Sequence, residues 1–230
     1  KEWIGIVTKR SDLMKISVDK RIKELTPNFH VGVMTCDVSV YEEPEVDNLI
    51  KGIEEKISSF IDIKDVVTLD VIIDGRDAYK TYGKDPSRYR LAVESLFRRL
   101  SKGNKLYRIN NVVDLGNILS VETRKSIAVL DLDSIDGDIT IRLGTNDDLY
   151  YGIGRGKLNI ENIPLYEDSI GPFGSVTSDT ERTMIKDVTK RILLFIISFS
   201  GKEGLEEELE LAKSLYEKYA KATNIDQYIL

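Results

Sequence analysis

Apolar positions change period several times along the chain, and each change marks an element. His30–Val40 (HVGVMTCDVSV) alternates and is rich in β-branched residues, which predicts a strand. Over Val46–Ile61 the period lengthens: Leu49, Ile50, Ile53, Ile57, Phe60 and Ile61 share one helical face. Val66–Ile73 has strand character locally. Leu69, Ile72, Ile73 and the residues from Arg76 to Tyr79 also fit a helix running to Gly83, and that is the reading adopted. Pro86 is placed to open the next helix and Gly103 to close it. Between them Tyr89, Ala92, Val93, Leu96, Phe97 and Leu100 form an apolar stripe, with Arg88, Ser95, Arg99 and Lys102 opposite.

Beyond Gly103 the runs shorten. Ser126–Leu132, Ile139–Leu143, Tyr150–Ile153 and Ile163–Tyr166 read as strands separated by Gly and Asp turns. Ile192–Ser200 holds the longest apolar run, ILLFIISF, too short for a bilayer and suited to a buried strand. After Gly201, Lys202–Ala222 is an amphipathic helix with Leu205, Leu209, Ala212, Leu215, Tyr216 and Tyr219 on one face. No repeat or low-complexity segment interrupts this order. Helices early and last around a sheet-rich middle predict an α+β fold. Met14 opens a self-contained start, so residues 14–230 are expected to form a single domain. Residues 1–13 read as an N-terminal extension and a candidate non-native segment.

Composition narrows the chemistry. The 230 residues include 33 basic and 39 acidic side chains, a net charge of −6, with one His and one Cys. A Cys/His zinc site needs three or four ligands, and only His30 and Cys36 are present. A disulfide framework is excluded, and the single Cys fits a reducing, cytoplasmic compartment. A Ser-His-Asp triad would have to use His30. The N-terminal residues lack an apolar core of signal-peptide length, and no membrane partner is expected. Asp131, Asp133, Asp136 and Asp138 lack the Glu and Gly placement of a calcium loop and read as an Asp-Gly hairpin. Gly152, Gly154 and Gly156 lack dinucleotide-loop spacing. No metal or cofactor is expected.

Charge is unevenly spread. Residues 76–125 hold twelve basic and five acidic side chains, a net of +7, which leaves −13 for the remainder. Such asymmetry points toward an anionic partner, although a solvated basic helix face would give the same count.

Two segments carry candidate chemistry. In Arg108–Ser120 (RINNVVDLGNILS), Asn110, Asp114 and Asn117 recur at helical spacing within an apolar run. They can present amides and a carboxylate to a ligand's amine, amide or hydroxyl. The plainer alternative is a helix start capped by Asn110 or Asn111, with a satisfied buried Asp. In Asp168–Arg182 (DSIGPFGSVTSDTER), Gly171, Pro172 and Gly174 suggest a tight turn followed by hydroxyls, including Ser175 and Ser178, beside Asp179 and Arg182. Exposed backbone N–H groups there can hold an anion or a carbonyl oxygen. A loop followed by a capping box, Ser178 with Glu181, is the alternative. No Lys follows the glycines, so this is not a phosphate-binding Walker loop.

These runs resemble a known family. Ile109, Asn110, Asn111, Val112, Val113, Asp114 and Asn117, with Asp131, Leu132 and Asp133, match the start of the paired third and fourth domains of the bacterial phenylalanyl-tRNA synthetase β subunit. Free-standing relatives of that module are closer still. Tyr82, Gly83, Asp85, Pro86, Tyr89 and Arg90 match one of their motifs; Gly171 to Ser175, Ser178, Asp179, Arg182 and Thr183 match another. The resemblance covers roughly Tyr79 to Gly201 and suits the helix beyond.

The resemblance implies a three-layer sheet/sheet/helix sandwich with a pocket where its halves meet. In the synthetase that pocket hydrolyses the ester of an amino acid wrongly attached to tRNA. By likeness, this chain would bind tRNA and act in trans on mischarged aminoacyl-tRNA. A non-catalytic tRNA- or amino-acid-binding module and a small-molecule hydrolase are the alternatives. The pocket would draw on Asn110, Asp114, Asn117, Gly174, Ser175, Ser178, Asp179 and Arg182. Arg182 would pair with Asp179 or a terminal phosphate. Arg88, Arg98, Arg99, Lys102 and Lys105 would hold RNA phosphates. One departure stands out: the synthetase module carries a His where this chain has Ala128. Water would then be oriented by Ser175, Asp179 or backbone N–H groups, which an ester tolerates better than an amide.

Overall fold

The computed structural model describes residues 4–9 and 12–230. In chain order these form β1 (Ile4–Lys9), β2 (Asp12–Val18), α1 (Lys20–Leu25), β3 (His30–Asp37), α2 (Pro44–Phe60), α3 (Asp70–Thr81), α4 (Ala92–Ser101), α5 (Asn111–Thr123), β4 (Ser126–Asp131), β5 (Ile139–Leu143), β6 (Tyr151–Gly152), β7 (Gly156–Lys157), β8 (Pro164–Glu167), β9 (Pro172–Ser175), β10 (Arg191–Ser198), α6 (Leu205–Ala220) and β11 (Thr223–Ile229).

Two sheets and a helical layer stack on one another. The first sheet has the order β1-β2-β5-β8-β9; β2 and β5 are parallel and the other pairs antiparallel. The second, β11-β3-β10-β4, is antiparallel throughout. Strand β10 is central, which explains its unbroken run of buried residues Ile192–Ile197. Its alternate side chains serve opposite layers. Phe195 meets the Tyr166 ring of β8 edge-on at 5.0 Å, joining the two sheets. On the other face, a β-carbon at Gly32 would lie 3.3 Å from Ile196 Cβ and 3.4 Å from Leu209 of α6. The expected sheet/sheet/helix sandwich is what forms.

Helix α5 is the centre of the helical layer. It packs on β4 and is flanked by α2, α4 and α6. Nearly every residue from Val112 to Val121 is therefore apolar or small. Asn117 is the polar exception left partly open.

Several elements depart from the periodicity reading. Asp85 caps a single turn after α3, accepting from Ser87 N at 2.9 Å. Leu91 is then extended, so α4 begins at Ala92 rather than at Pro86. Ile57 is the last buried residue of α2, and Phe60 stands 83% exposed. The Asp131–Asp138 run is not a hairpin: β4 and β5 belong to different sheets, and the Asp-Gly turn carries the chain across. Pro172–Ser175 form strand β9 rather than a free turn, because Gly174 pairs with Tyr166 and Ser175 with Leu165; Gly171 alone stays in the turn before it. Strand β11 was hidden by an irregularity between Thr223 and Asp226, where Asn224 has φ 51°. Strand β1 lies in the stretch expected to precede the domain and pairs with β2, Ile6 opposite Lys15. Residues 1–3 and 10–11 of that stretch lie outside the described residues.

Candidate functional site

Two of the candidate polar residues meet in one cavity of about 220 Å³, between α5, β4 and the loop after β9. Gly116 and Asn117 of α5 form one side, and Ile127 and Val129 of β4 another. Ile153, Asp179, Met184 and Ile185 close it. Gly116 is needed for the close approach of α5 to β4, since a β-carbon there would stand 2.6 Å from Val129 Cγ2. The walls are mostly apolar, with one carboxylate and one amide.

The loop after β9 aims Asp179 through a set of hydroxyl and main-chain bonds. Ser175 Oγ donates to Ser178 O at 2.7 Å and accepts from Ser178 N at 3.0 Å and Thr177 N at 3.3 Å. Tyr150 Oη donates to the same Ser178 carbonyl. Ile153 N donates to Asp179 O at 2.9 Å, tying the β6–β7 hairpin to the loop. Thr180 Oγ1 donates to Phe173 O at 2.9 Å. Ser175 is buried, and its hydroxyl is committed to this turn.

The Asp179 carboxylate itself is poorly compensated. Ser175 N, 3.4 Å from Oδ1, is its hydrogen-bond donor among the described residues. Burial pushes its pKa up to about 7, against the smaller opposing pull of that N–H. A carboxyl group poised near neutral pH in an apolar cavity has the physical character of an acid–base group.

Other candidates fall elsewhere. Asn110 is the N-cap of α5, its side chain accepting from Val113 N at 3.0 Å. Asp114 accepts from Ile109 N at 3.0 Å, and burial raises its pKa. Both border a separate depression at the start of α2, so the Asn110-Asp114-Asn117 stripe does not converge on one ligand. The capping alternative describes the first two. Asn111, read from sequence as the other possible cap, is more deeply committed: it accepts from Tyr41 N and donates to Ser39 O and Tyr219 O.

Arg182 does not pair with Asp179. It grips the buried Asp168 with two bonds, Nη1 to Oδ2 at 2.9 Å and Nη2 to Oδ1 at 2.7 Å, and donates also to Ser134 O and Gly171 O. Asp168 in turn accepts from Asp136 N, Ile170 N and Gly171 N. Burial opposes ionisation there, but the Arg182 and backbone bonds outweigh it and hold the carboxyl below its usual range. This node fixes the turn from which β9 starts. Gly174 belongs to the wall behind Asp179, and Ser178 brackets the loop through its backbone.

Cys36 is no nucleophile: burial and the neighbouring Asp37 push its thiol up to about 12. His30 sits at the start of β3, its Nδ1 3.1 Å from Asn28 O. Ala128 lies opposite Phe195 on β10, between Ile127 and Val129, and faces the other side of the strand from the cavity. Within the basic segment, Arg98 is bonded to Glu94, and Arg99 to Lys105 O and the Tyr107 ring face at 4.2 Å. Arg88, Lys102 and Lys105 are solvent-facing.

The family model for the B3/4 domain matches residues 74–227, from α3 through most of β11. The chain belongs to the B3/4 domain family. The kinship expected from the motifs, with the module of the phenylalanyl-tRNA synthetase β subunit, is thereby established, and it reaches beyond the Tyr79–Gly201 core. Among solved structures, the chain is similar to an N-terminal fragment of the phenylalanyl-tRNA synthetase β subunit from Pyrococcus horikoshii, with 12% identity and a TM-score of 0.51. That match takes in all of this chain and 57% of the other, so the B3/4 protein spans little more than half the length of that relative. No curated protein matches it. No helix among the described residues is long and apolar enough to cross a membrane.

Proposed function

We propose that this B3/4 protein binds tRNA in the cytoplasm and hydrolyses the ester of a mischarged aminoacyl-tRNA in trans. The observation that carries the reading is Asp179, a carboxyl group with a pKa of about 7 facing an apolar cavity that also holds Asn117. At 220 Å³ the cavity is smaller than the roughly 300–1,000 Å³ of pockets for drug-sized ligands, which suits one amino-acid side chain. The nucleotide would remain outside.

In this mechanism ionised Asp179 takes a proton from water as that water attacks the ester carbonyl carbon. Asn117 Nδ2 donates to the carbonyl oxygen as it becomes an oxyanion. Collapse breaks the bond to the ribose oxygen, which receives the proton from Asp179. No His is required, which accommodates Ala128.

The test is amino-acid release from a panel of mischarged tRNAs. Wild-type turnover on at least one, lowered at least ~100-fold by Asp179→Asn, is the expected result. Absence of turnover on every member overturns the hydrolase reading. Calorimetric binding of a free amino acid, lost in Asn117→Ala, would then favour a non-catalytic binding module. The commitment of Ser175 Oγ to its own turn is the feature that favours this second reading.

A further inference from the structure

A second polar centre lies at the start of α4. Glu94 has no exposed surface. Arg76 of α3 donates through Nη1 to both its oxygens, at 3.0 Å and 2.9 Å. Arg98, one turn along α4, donates through Nε to Oε1 at 2.8 Å. Arg90 Nε stands 4.0 Å from the same oxygen. One buried carboxylate therefore gathers three guanidinium groups, which stay protonated, and the cluster has a surplus of two positive charges.

Charge balance alone does not require this arrangement, since one guanidinium neutralises one carboxylate. The surplus is also reachable. The side chains of Arg76, Arg90 and Arg98 are 17%, 47% and 26% exposed. Among the described residues Arg98 spends only Nε on Glu94, which leaves both its Nη groups as donors. Among the described residues Glu94 is the acidic group within ion-pair distance of Arg90. Planar forks held in place by a buried acceptor are pre-organised for the oxygens of a phosphate group.

The position fits as well. Ala92 N donates to Val176 O at 2.9 Å, and Val93 N to Ser126 Oγ at 3.3 Å. The first bond fastens the start of α4 to the loop that bears Asp179, and the second fastens it to β4. Val176 precedes Asp179 by three residues, so the cluster lies on the order of 10–15 Å from the cavity. Of the basic residues expected from sequence, Arg98 belongs to this cluster and Arg88 is solvent-facing ahead of α4, while Arg99, Lys102 and Lys105 lie at or beyond the far end of α4, where Arg99 is already engaged.

We propose that Arg76, Arg90 and Arg98, held together by Glu94, form a docking site for a phosphate group, supplied by an RNA backbone or by a free phosphate. The RNA source rests on the function proposed above; the phosphate chemistry does not.

The experiment compares the full chain with Arg90→Ala, Arg90→Ala/Arg98→Ala and the remote control Lys20→Ala. Affinity for a tRNA transcript is read by fluorescence anisotropy at several salt concentrations. Inorganic phosphate is titrated against the NMR signals of the arginine Nε–H groups. Expected are a several-fold loss of tRNA affinity in Arg90→Ala, a salt slope shallower by about 1, and no change in Lys20→Ala. Arg90 is exposed, so this variant carries the test if the double variant unfolds. Arginine signals that respond to phosphate, in a protein that binds no tRNA, support the site with a free-phosphate source and sink the RNA reading alone. Wild-type tRNA affinity and slope in Arg90→Ala, with no arginine response to phosphate, overturn the site even if mischarged tRNA is hydrolysed.

Discussion

A β-carbon at residue 174 would stand 2.7 Å from Asp179 Oδ1 and 2.7 Å from the Tyr166 ring, so strand β9 and this carboxylate are in direct contact. That contact puts main chain and aromatic ring where water would otherwise solvate the charge. The Ser175 N–H at 3.4 Å does not make up the loss. The raised pKa of Asp179 thus follows from its close approach to a glycine on the edge strand β9, and Gly174→Ala is expected to displace the carboxylate and abolish deacylation.

The same carboxylate should leave a signature in stability against pH. In the unfolded chain an Asp ionises near 3.9, whereas Asp179 in the folded protein holds its proton to about 7. Between those values the folded state binds more protons, so the Asp179 contribution to stability falls as pH rises and levels off above about 7. Partial contact with solvent reduces the effect to roughly 1–3 kcal/mol. Asp179→Asn removes the titration while keeping the size. Urea unfolding at pH 5 and pH 8 should show the variant gaining on wild type by about that amount between the two. A pH-independent difference would mean that the carboxyl ionises normally.

Gly116 offers a steric test of the cavity. Its missing β-carbon is what admits Val129, at a would-be 2.6 Å. Gly116→Ala is expected to cost about 1–3 kcal/mol through overpacking. Adding Val129→Ala should recover most of that loss, because the clash is with one side chain tip. Thermal unfolding of the single and double variants measures both. Failure of the second change to help would place the strain in the backbone of α5.

Legibility followed period and burial. Strands β3, β5 and β10 were readable because they alternate or run continuously apolar, and α6 because its stripe is complete. The short strands β7 and β9 were not, since so few residues carry no period and the glycines of β9 mimic a turn, whereas β6 falls inside the Tyr150–Ile153 strand read from sequence. Residue types in the site were legible; their partners were not. Asp179 and Asn117 were singled out in separate segments 62 positions apart, and only the packing of α5 against the loop joins them. Arg182 was assigned to the nearer acid in sequence, whereas β-pairing brings Asp168 to it. Arg76 and Glu94 stood out only in the segment's charge count, and Arg90 also in a family motif, because charged residues at helical spacing read as a solvated face.

The two asparagines of α5 should separate cleanly. Asn110 caps the helix, so Asn110→Ala is expected to cost about 1 kcal/mol of stability and to leave turnover unchanged. The Asn117 side chain shows no hydrogen bond among the described residues and borders the cavity. Asn117→Ala should leave denaturant stability within about 0.5 kcal/mol and lower turnover by ten-fold or more. The pairing of a stability assay with a deacylation assay decides it. The reverse pattern would restore the single-stripe pocket that the sequence suggested.

Arg182 can be distinguished from a substrate-binding residue by how its loss depends on pH. Its guanidinium is the bidentate partner of Asp168, whose side chain has no exposed surface. Removing one member of such a pair leaves an uncompensated buried charge, and Arg182→Ala is expected to cost about 2–4 kcal/mol near pH 7. Asp168 is held below the usual carboxylate range, so its contribution is present above the unfolded value and fades as pH falls through the folded one. The cost of Arg182→Ala should therefore shrink below pH 4. Asp168→Asn/Arg182→Ala should be less damaging than the two single changes added together. A residue whose task was to hold a phosphate would show neither the pH dependence nor the coupling, and equilibrium unfolding of the four proteins across that range tells the two apart.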